Sequence, residues 1–224
     1  MSQAAQIKPE SQLLVNTVSG CFLACLRKAA QRQEPFNHWL LKDSLPQGFC
    51  EAIASLPFTP PRDGVFDGKR ETNNTTRVYF TPKNQKKFVV CRRIVEGFQD
   101  PAVTGSIEAA TGTDLSNTRL RIEYCQDTDG FWLEPHTDIA VKKFTMLVYL
   151  SNDPYLASAG TDLHEGPPDF NCVGSAPYGK NLGLIFIPGK DTWHGVGQRR
   201  FNKIRRSIII NYVTRDWRDV WELA

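Results

Sequence analysis

Four short apolar runs organise the second half of the chain: "TRLRIEYCQ" (118–126), "KKFTMLVYLS" (142–151), "NLGLIFIP" (181–188) and "RRSIIINYV" (205–213). Each is rich in β-branched or aromatic residues and is bounded by Gly, Pro, Asp or Asn, the pattern of strands between turns. Several such runs in succession close into a sandwich or barrel, so the sequence predicts an eight-strand type of β-core. The first half differs. Apolar residues at 14, 18, 21, 22, 25, 26 and 29 recur with a helical period, so 11–33 reads as helical. Residues 38–58 read as a short strand, a turn at Pro46-Gln47-Gly48 and a brief helix ended by Pro57. "RVYF" (77–80) reads as a strand, and 84–112 as mostly helical with a break at Pro101. Two long loops, 59–76 and 152–180, are rich in Gly and Pro, the second holding one short strand near "GTDLH". The fold class expected is therefore mainly β with N-terminal helices. Residues 1–224 form a single domain, with a helix-rich part over 1–117 packed on a core over 118–215.

At 224 residues the chain is long enough for one well-cored domain. Its net charge of +3 is too small for a nucleic-acid surface, and the basic run 199–206 reads as a solvated loop and strand start. No stretch approaches the ~20 apolar residues of a membrane span. The opening "MSQAAQIKPE" lacks the pattern of a secretory signal, so cysteines 21, 25, 50, 91, 125 and 172 are expected as reduced thiols in a cytoplasmic protein. Cys21 and Cys25 share a helix face with Leu14 and Val18, which is core packing. Neither nucleic acid nor membrane is expected as a partner, and the sequence assigns no oligomeric state.

The chemistry concentrates in "EPHTDIAVKKFTMLVYLSND" (134–153). On a strand, residues two apart project from one face, so His136 and Asp138 can aim at one point. His194, in "IPGKDTWHGVG", is the natural third ligand, with His164 in "GTDLHEGPPD" as its rival. Two histidines and a carboxylate leave adjacent positions open on a metal, the arrangement of non-haem Fe(II) oxygenases. Past His194, the pair Arg205-Arg206 opens an apolar strand, and a guanidinium holds a carboxylate in a bidentate pair. Tyr124 offers a phenol on a strand of the same sheet. Thr145, Leu147 and Tyr149 share a face of the next one.

In these elements, from Thr118 to about Val213, the chain resembles the Fe(II)/2-oxoglutarate-dependent dioxygenases, in particular their prolyl-hydroxylase-like branch. The resemblance implies a double-stranded β-helix, or jelly roll, resembling that of the cupins. It implies Fe(II) held by His136, Asp138 and His194, 2-oxoglutarate as co-substrate and O2 as oxidant. It also implies an arginine anchor on the penultimate core strand. In such relatives the anchor lies six positions before an aromatic residue, which selects Arg206 through Tyr212. An Arg-x-Ser pattern, known from other branches, selects Arg205 through Ser207. The spacing favours Arg206, with Tyr124, Thr145 and Tyr149 as further co-substrate contacts. Two departures stand out. Tyr124 precedes His136 by twelve positions, further than is usual, and Ala159-Gly160 replaces a Gly-Gly pair.

The implied activity is hydroxylation of an unactivated C–H bond with release of succinate and CO2. Desaturation or ring closure would use the same residues. A cupin-like isomerase or hydrolase shares the ligands but needs no arginine anchor, and a jelly-roll sugar-binding module needs no oxygen. Arg62, Lys69, Arg70, Arg77 and Lys180, in or beside the two long loops, favour an anionic small-molecule substrate, with a peptidyl side chain as the alternative. Trp132 and Trp193 flank the ligands as wall or substrate contacts, and His38 reads as packing.

Overall fold

The structure is a computed structural model that describes residues 17–61, 66–69 and 77–224. Three helices and three strands come first: α1 (Val18–Leu26), β1 (Ala30–Arg32), β2 (His38–Lys42), α2 (Phe49–Ala54), then β3 (Val78–Tyr79) and α3 (Pro82–Lys87). Two longer helices follow, α4 (Val89–Phe98) and α5 (Pro101–Thr111). The remainder is β4 (Thr118–Asp127), β5 (Leu133–His136), β6 (Lys142–Tyr149), β7 (Asp162–His164), β8 (Cys172–Ser175), β9 (Leu182–Phe186), β10 (His194–Val196) and β11 (Arg205–Thr214). Helix starts follow local chemistry. Thr17 caps α1 by accepting from Gly20 N at 3.0 Å, and Asp100 caps α5 ahead of Pro101, whose missing N–H is no loss there. Gly112 ends α5 with φ +73°, a conformation that favours glycine.

The strands form two antiparallel sheets. One has the order β1-β2-β9-β6-β11-β4-β3 and the other β5-β10-β7-β8. Strands β4 to β11 alternate between them, except that β7 and β8 pair within the smaller sheet, and make the jelly roll, while β1, β2 and β3 widen the larger sheet. This is the mainly β architecture expected. Of its eight strands, β5, β8 and β10 carry no periodic signal long enough to be read, because each has only three or four residues.

Side chains alternate across each strand, and the two faces of the large sheet have different partners. Outward, Ile122 and Tyr124 of β4, Phe144 and Met146 of β6, and Ile208, Ile210 and Tyr212 of β11 pack on Phe22, Ile94, Phe98 and Ile107 of the helices. Inward, Cys125, Leu147, Tyr149 and Ile209 meet Leu163 and Val196 of the small sheet. Each fully buried aromatic or aliphatic side chain stabilises by about 1.5–3 kcal/mol. The helical layer is thus a lid on one sheet face, and the chemistry belongs between the sheets.

The helix expected over 11–33 is observed as α1 followed by the exposed β1; residues 11–16 lie outside the described part. Of the loop 59–76, residues 59–61 and 66–69 are described without helix or strand. Arg62 and Arg70 lie outside the described residues. All six cysteines are free thiols. Among the described residues, no helix is long and apolar enough to cross a membrane.

Candidate metal centre

His136 is the last residue of β5, and its cross-strand partner is His194, the first of β10. Opposed residues on neighbouring strands share a face, so both imidazoles enter the space between the sheets, ring centroids 4.4 Å apart. The strands approach closely because Gly195 follows His194: a Cβ there would stand 2.6 Å from Leu133 O. Asp138 comes from the turn between β5 and β6, so His136-x-Asp138 straddles the end of one strand instead of opening the next. One ligand atom from each of His136, Asp138 and His194 lies within 4.8 Å of the others.

The surroundings fix each group. His136 Nδ1 and His194 Nδ1 each lie 2.9 Å from a backbone carbonyl, of Glu134 and Thr192. Donation to those oxygens sets the tautomer with Nε2 as the lone-pair donor. Burial, and then the neighbouring His136, push the His194 pKa down to about 3, so its ring is neutral and suited to a metal. Asp138 is held at both oxygens: Lys142 Nζ donates to Oδ1 at 2.5 Å and Thr145 Oγ1 to Oδ2 at 2.7 Å.

Beside the triad a narrow cavity of about 40 Å³ is lined by Asp138, Lys142, Thr145, Arg77, Asp127 and Arg205, among others. Arg205 is 3% exposed. It donates from Nη1 to Asp127 Oδ2 at 2.7 Å and from Nε to Ala159 O at 2.7 Å, while its buried Nη2 has no partner. Arg77 Nη1 donates to the other oxygen of Asp127 at 2.5 Å.

No protein-family model and no curated protein matches this sequence. Solved structures do match. A prolyl-4-hydroxylase of Pseudomonas putida superposes with a TM-score of 0.52 at 13% identity, over 96% of this chain and 98% of that one. A prolyl hydroxylase of Trichoplax adhaerens, solved with a hypoxia inducible factor peptide fragment, gives 0.52 at 13% over 93% and 94%. A non-haem α-ketoglutarate-dependent epimerase of nogalamycin biosynthesis gives 0.51 at 16% over 86% and 82%. The fold is that of the Fe(II)/2-oxoglutarate oxygenases.

The residues present fit what that oxygenase fold implies. Two imidazoles and one carboxylate converge, the donor set of non-haem Fe(II). An unpartnered guanidinium nitrogen lies in the narrow cavity beside them, a group that can pair with a carboxylate.

Several expected contacts lie elsewhere. Arg206 and Tyr124 sit on the helix-facing side of the large sheet, because β11 puts Arg206 in step with Ile208 and Ile210 and turns Arg205 inward. Arg206 therefore gives way to Arg205 as the arginine in the cavity. Tyr124 is fully buried, burial raises its pKa, and its hydroxyl lies 3.4 Å from Gln126 Oε1. Thr145 and Tyr149 do face inward, yet both hydroxyls serve the protein: Thr145 holds Asp138, and Tyr149 Oη bonds Thr161 Oγ1 at 2.9 Å with its ring 5.5 Å from the Arg205 guanidinium.

His164 is one residue past Leu163, which opposes His194, so it points out of the small sheet, with Nδ1 2.8 Å from Phe170 O. Trp193 lies outside as well, against Phe170. Trp132 secures the described loop, donating to Phe66 O at 3.1 Å. Lys180 pairs with Glu51 on the surface, away from the triad. Lys142 and Asp127 escaped the sequence reading. Strict alternation places Lys142 outward with Phe144, but a bulge opposite Tyr212 and Val213 re-aims it into the site.

Proposed function

We propose that this protein is an Fe(II)- and 2-oxoglutarate-dependent oxygenase that hydroxylates an unactivated C–H bond of an anionic small molecule, releasing succinate and CO2. The observation that carries this reading is the convergence of His136, Asp138 and His194 beside a narrow cavity containing the unsatisfied Nη2 of Arg205. A cupin-like isomerase or a sugar-binding module accounts for the triad but has no use for that guanidinium. When bound, the iron and its co-substrate supply the oxidising power for C–H cleavage.

The chain's own residues do the rest. His136, Asp138 and His194 hold the metal, and backbone acceptors keep both imidazoles in the ligating tautomer. Arg205 takes the distal carboxylate of the co-substrate, with Tyr149 beneath it and Asp127 fixing its fork. The cations Arg77, Lys142 and Arg205 outnumber the carboxylates Asp127 and Asp138 by one in this cavity, a balance suited to a dianion beside a divalent metal. Phe131, Leu133, Val196 and Ile209 give the same cavity an apolar wall. Arg77, next to the 59–76 loop, is held by Asp127 and joins Arg205 on the wall of this cavity.

The test is succinate formation from 2-oxoglutarate under air, with Fe(II), across free amino acids, anionic biosynthetic intermediates and proline-containing peptides. Turnover that needs all three of iron, oxygen and 2-oxoglutarate supports the oxygenase. Coupled turnover only with peptides would replace the small-molecule substrate with a peptidyl one.

A further inference from the structure

The metal triad is connected to a buried ionic cluster on the far side of the large sheet's inner face. Asp138 Oδ2 accepts from Thr145 Oγ1 at 2.7 Å. Thr145 Oγ1 in turn accepts from Asn211 Nδ2 at 2.9 Å, and Asn211 Oδ1 accepts from Arg121 Nη1 at 3.3 Å. Thr145, Asn211 and Arg121 are direct cross-strand partners on β6, β11 and β4, so one row of the sheet carries the chain of bonds. Asn211 Nδ2 also donates to Phe144 O at 3.2 Å, so both amide N–H groups and Oδ1 are engaged and the orientation of the Asn211 amide is fixed; the Thr145 hydroxyl, which accepts from it, donates to Asp138.

Arg121 is buried and held by several partners at once. It is 1% exposed. Nε donates to Glu222 at 2.5 Å, and Nη2 donates to Glu123 at 3.1 Å and to Tyr79 Oη at 3.2 Å. Its guanidinium lies 4.8 Å from the Tyr79 ring and 4.7 Å from the Trp217 ring. Glu222 and Trp217 belong to the segment that follows β11 and returns to β4, where Leu223 bridges Arg121. A buried arginine with two carboxylates is seldom a gain in stability over apolar residues of the same volume. Beyond its two carboxylates the guanidinium also reaches Asn211, where the chain of bonds to Asp138 begins.

We propose that Arg121 is a positioning residue for the metal-binding carboxylate, acting through Asn211 and Thr145, and that the segment carrying Trp217 and Glu222 is the clasp that sets it. This rests on the reading of the triad as metal ligands. The relay aims the Thr145 hydroxyl at Oδ2, which leaves Oδ1 as the oxygen that exchanges Lys142 for the metal. Without the relay the hydroxyl rotates, Asp138 loses its preferred rotamer and the site binds metal less tightly.

Co(II) titration of the metal-free protein, followed by visible d–d absorption and calorimetry, tests this on Arg121→Lys, Thr145→Val and the double variant. Outer-sphere partners of a metal site contribute about 10–100-fold in affinity. Arg121→Lys should weaken Co(II) binding by about tenfold and change the d–d spectrum. In the Thr145→Val background the same change should have no further effect, because the relay is already cut. Additive losses, or wild-type affinity and spectrum in Arg121→Lys, would overturn the proposal. Should Arg121→Lys fail to fold by thermal melting, Glu222→Gln takes its place in the same cycle, with a smaller loss in the same direction expected. Thr145→Ser, which keeps the hydroxyl, should restore affinity; failure to do so also counts against the relay. Wild-type protein that binds no Co(II), or binding unaltered by His136→Ala, would instead bring down the metal reading and the relay with it.

Discussion

Arg205 and Arg206 are adjacent in sequence and lie on opposite faces of the seven-stranded sheet. Arg205 is in the cavity with Asp138 and His194, and Arg206 is among the helix-facing residues of β11. Losing a buried, charge-assisted anchor costs about 2–5 kcal/mol. Arg205→Leu should therefore raise the 2-oxoglutarate concentration for half-maximal succinate formation by well over tenfold, with Mn(II) still bound. Asp127 keeps Arg77 as partner, so the fold should survive. Arg206→Leu should change that concentration little. The opposite ranking would return the anchor to Arg206.

The three converging ligands make a sharp prediction about metal content. Alanine at His136, Asp138 or His194 should each abolish stoichiometric Fe(II) or Mn(II) binding, since two ligands hold these ions weakly. His164→Ala should bind metal like the wild type, because its ring points out of the small sheet. Metal analysis after desalting reads both. Full occupancy in His194→Ala, with loss in His164→Ala, would reassign the third ligand.

How much of this was legible in the sequence depended on strand length and on bulges. Strands β4, β6 and β11 span eight to ten residues and announce themselves by apolar runs; β5 and β10, with four and three, do not. The two histidines were found through residue type and setting, although the shared-face argument for His136 and Asp138 misplaced the strand they stand on. Arg205 and Arg206 show the limit most clearly. Alternation correctly separated them, but alternation alone does not say which face is inward. The aromatic spacing to Tyr212 chose the helix-facing side. The useful signal was chemical: Arg205 shares its face with Ser207 and Asn211, and Arg206 shares its face with Ile208 and Ile210, the side a helical layer would cover.

Lys142 sets a sign that separates two roles. Its ammonium sits 2.5 Å from Asp138 Oδ1, and both side chains are buried. A cation so placed competes with a metal for the carboxylate and repels it, by several kcal/mol in unscreened terms at an effective dielectric near 20. Lys142→Met should thus tighten Mn(II) binding by roughly tenfold or more. Thr145→Val should weaken it. A weaker metal site in Lys142→Met would show that the ammonium instead holds Asp138 in its ligating conformation.

Protonation of His194 should make the metal-free protein acid-sensitive. Its pKa falls from 6.5 to about 3, first because burial disfavours the imidazolium and then because His136 stands beside it. Between those values the unfolded chain binds a proton that the folded protein refuses. Stability therefore rises with pH across this window, and the contribution is progressively lost as pH falls from about 6.5 toward 3. One proton corresponds to a slope of about 1.4 kcal/mol per pH unit at most. Denaturant unfolding at pH 7, 6, 5 and 4, in the presence of a chelator, gives that slope for the wild type. His194→Gln removes the titrating group and should flatten it by up to one proton, while carboxylates elsewhere titrate equally in both proteins. Parallel lines for the two proteins would mean that His194 takes up its proton in the folded state and that the site is more open to water than its burial indicates.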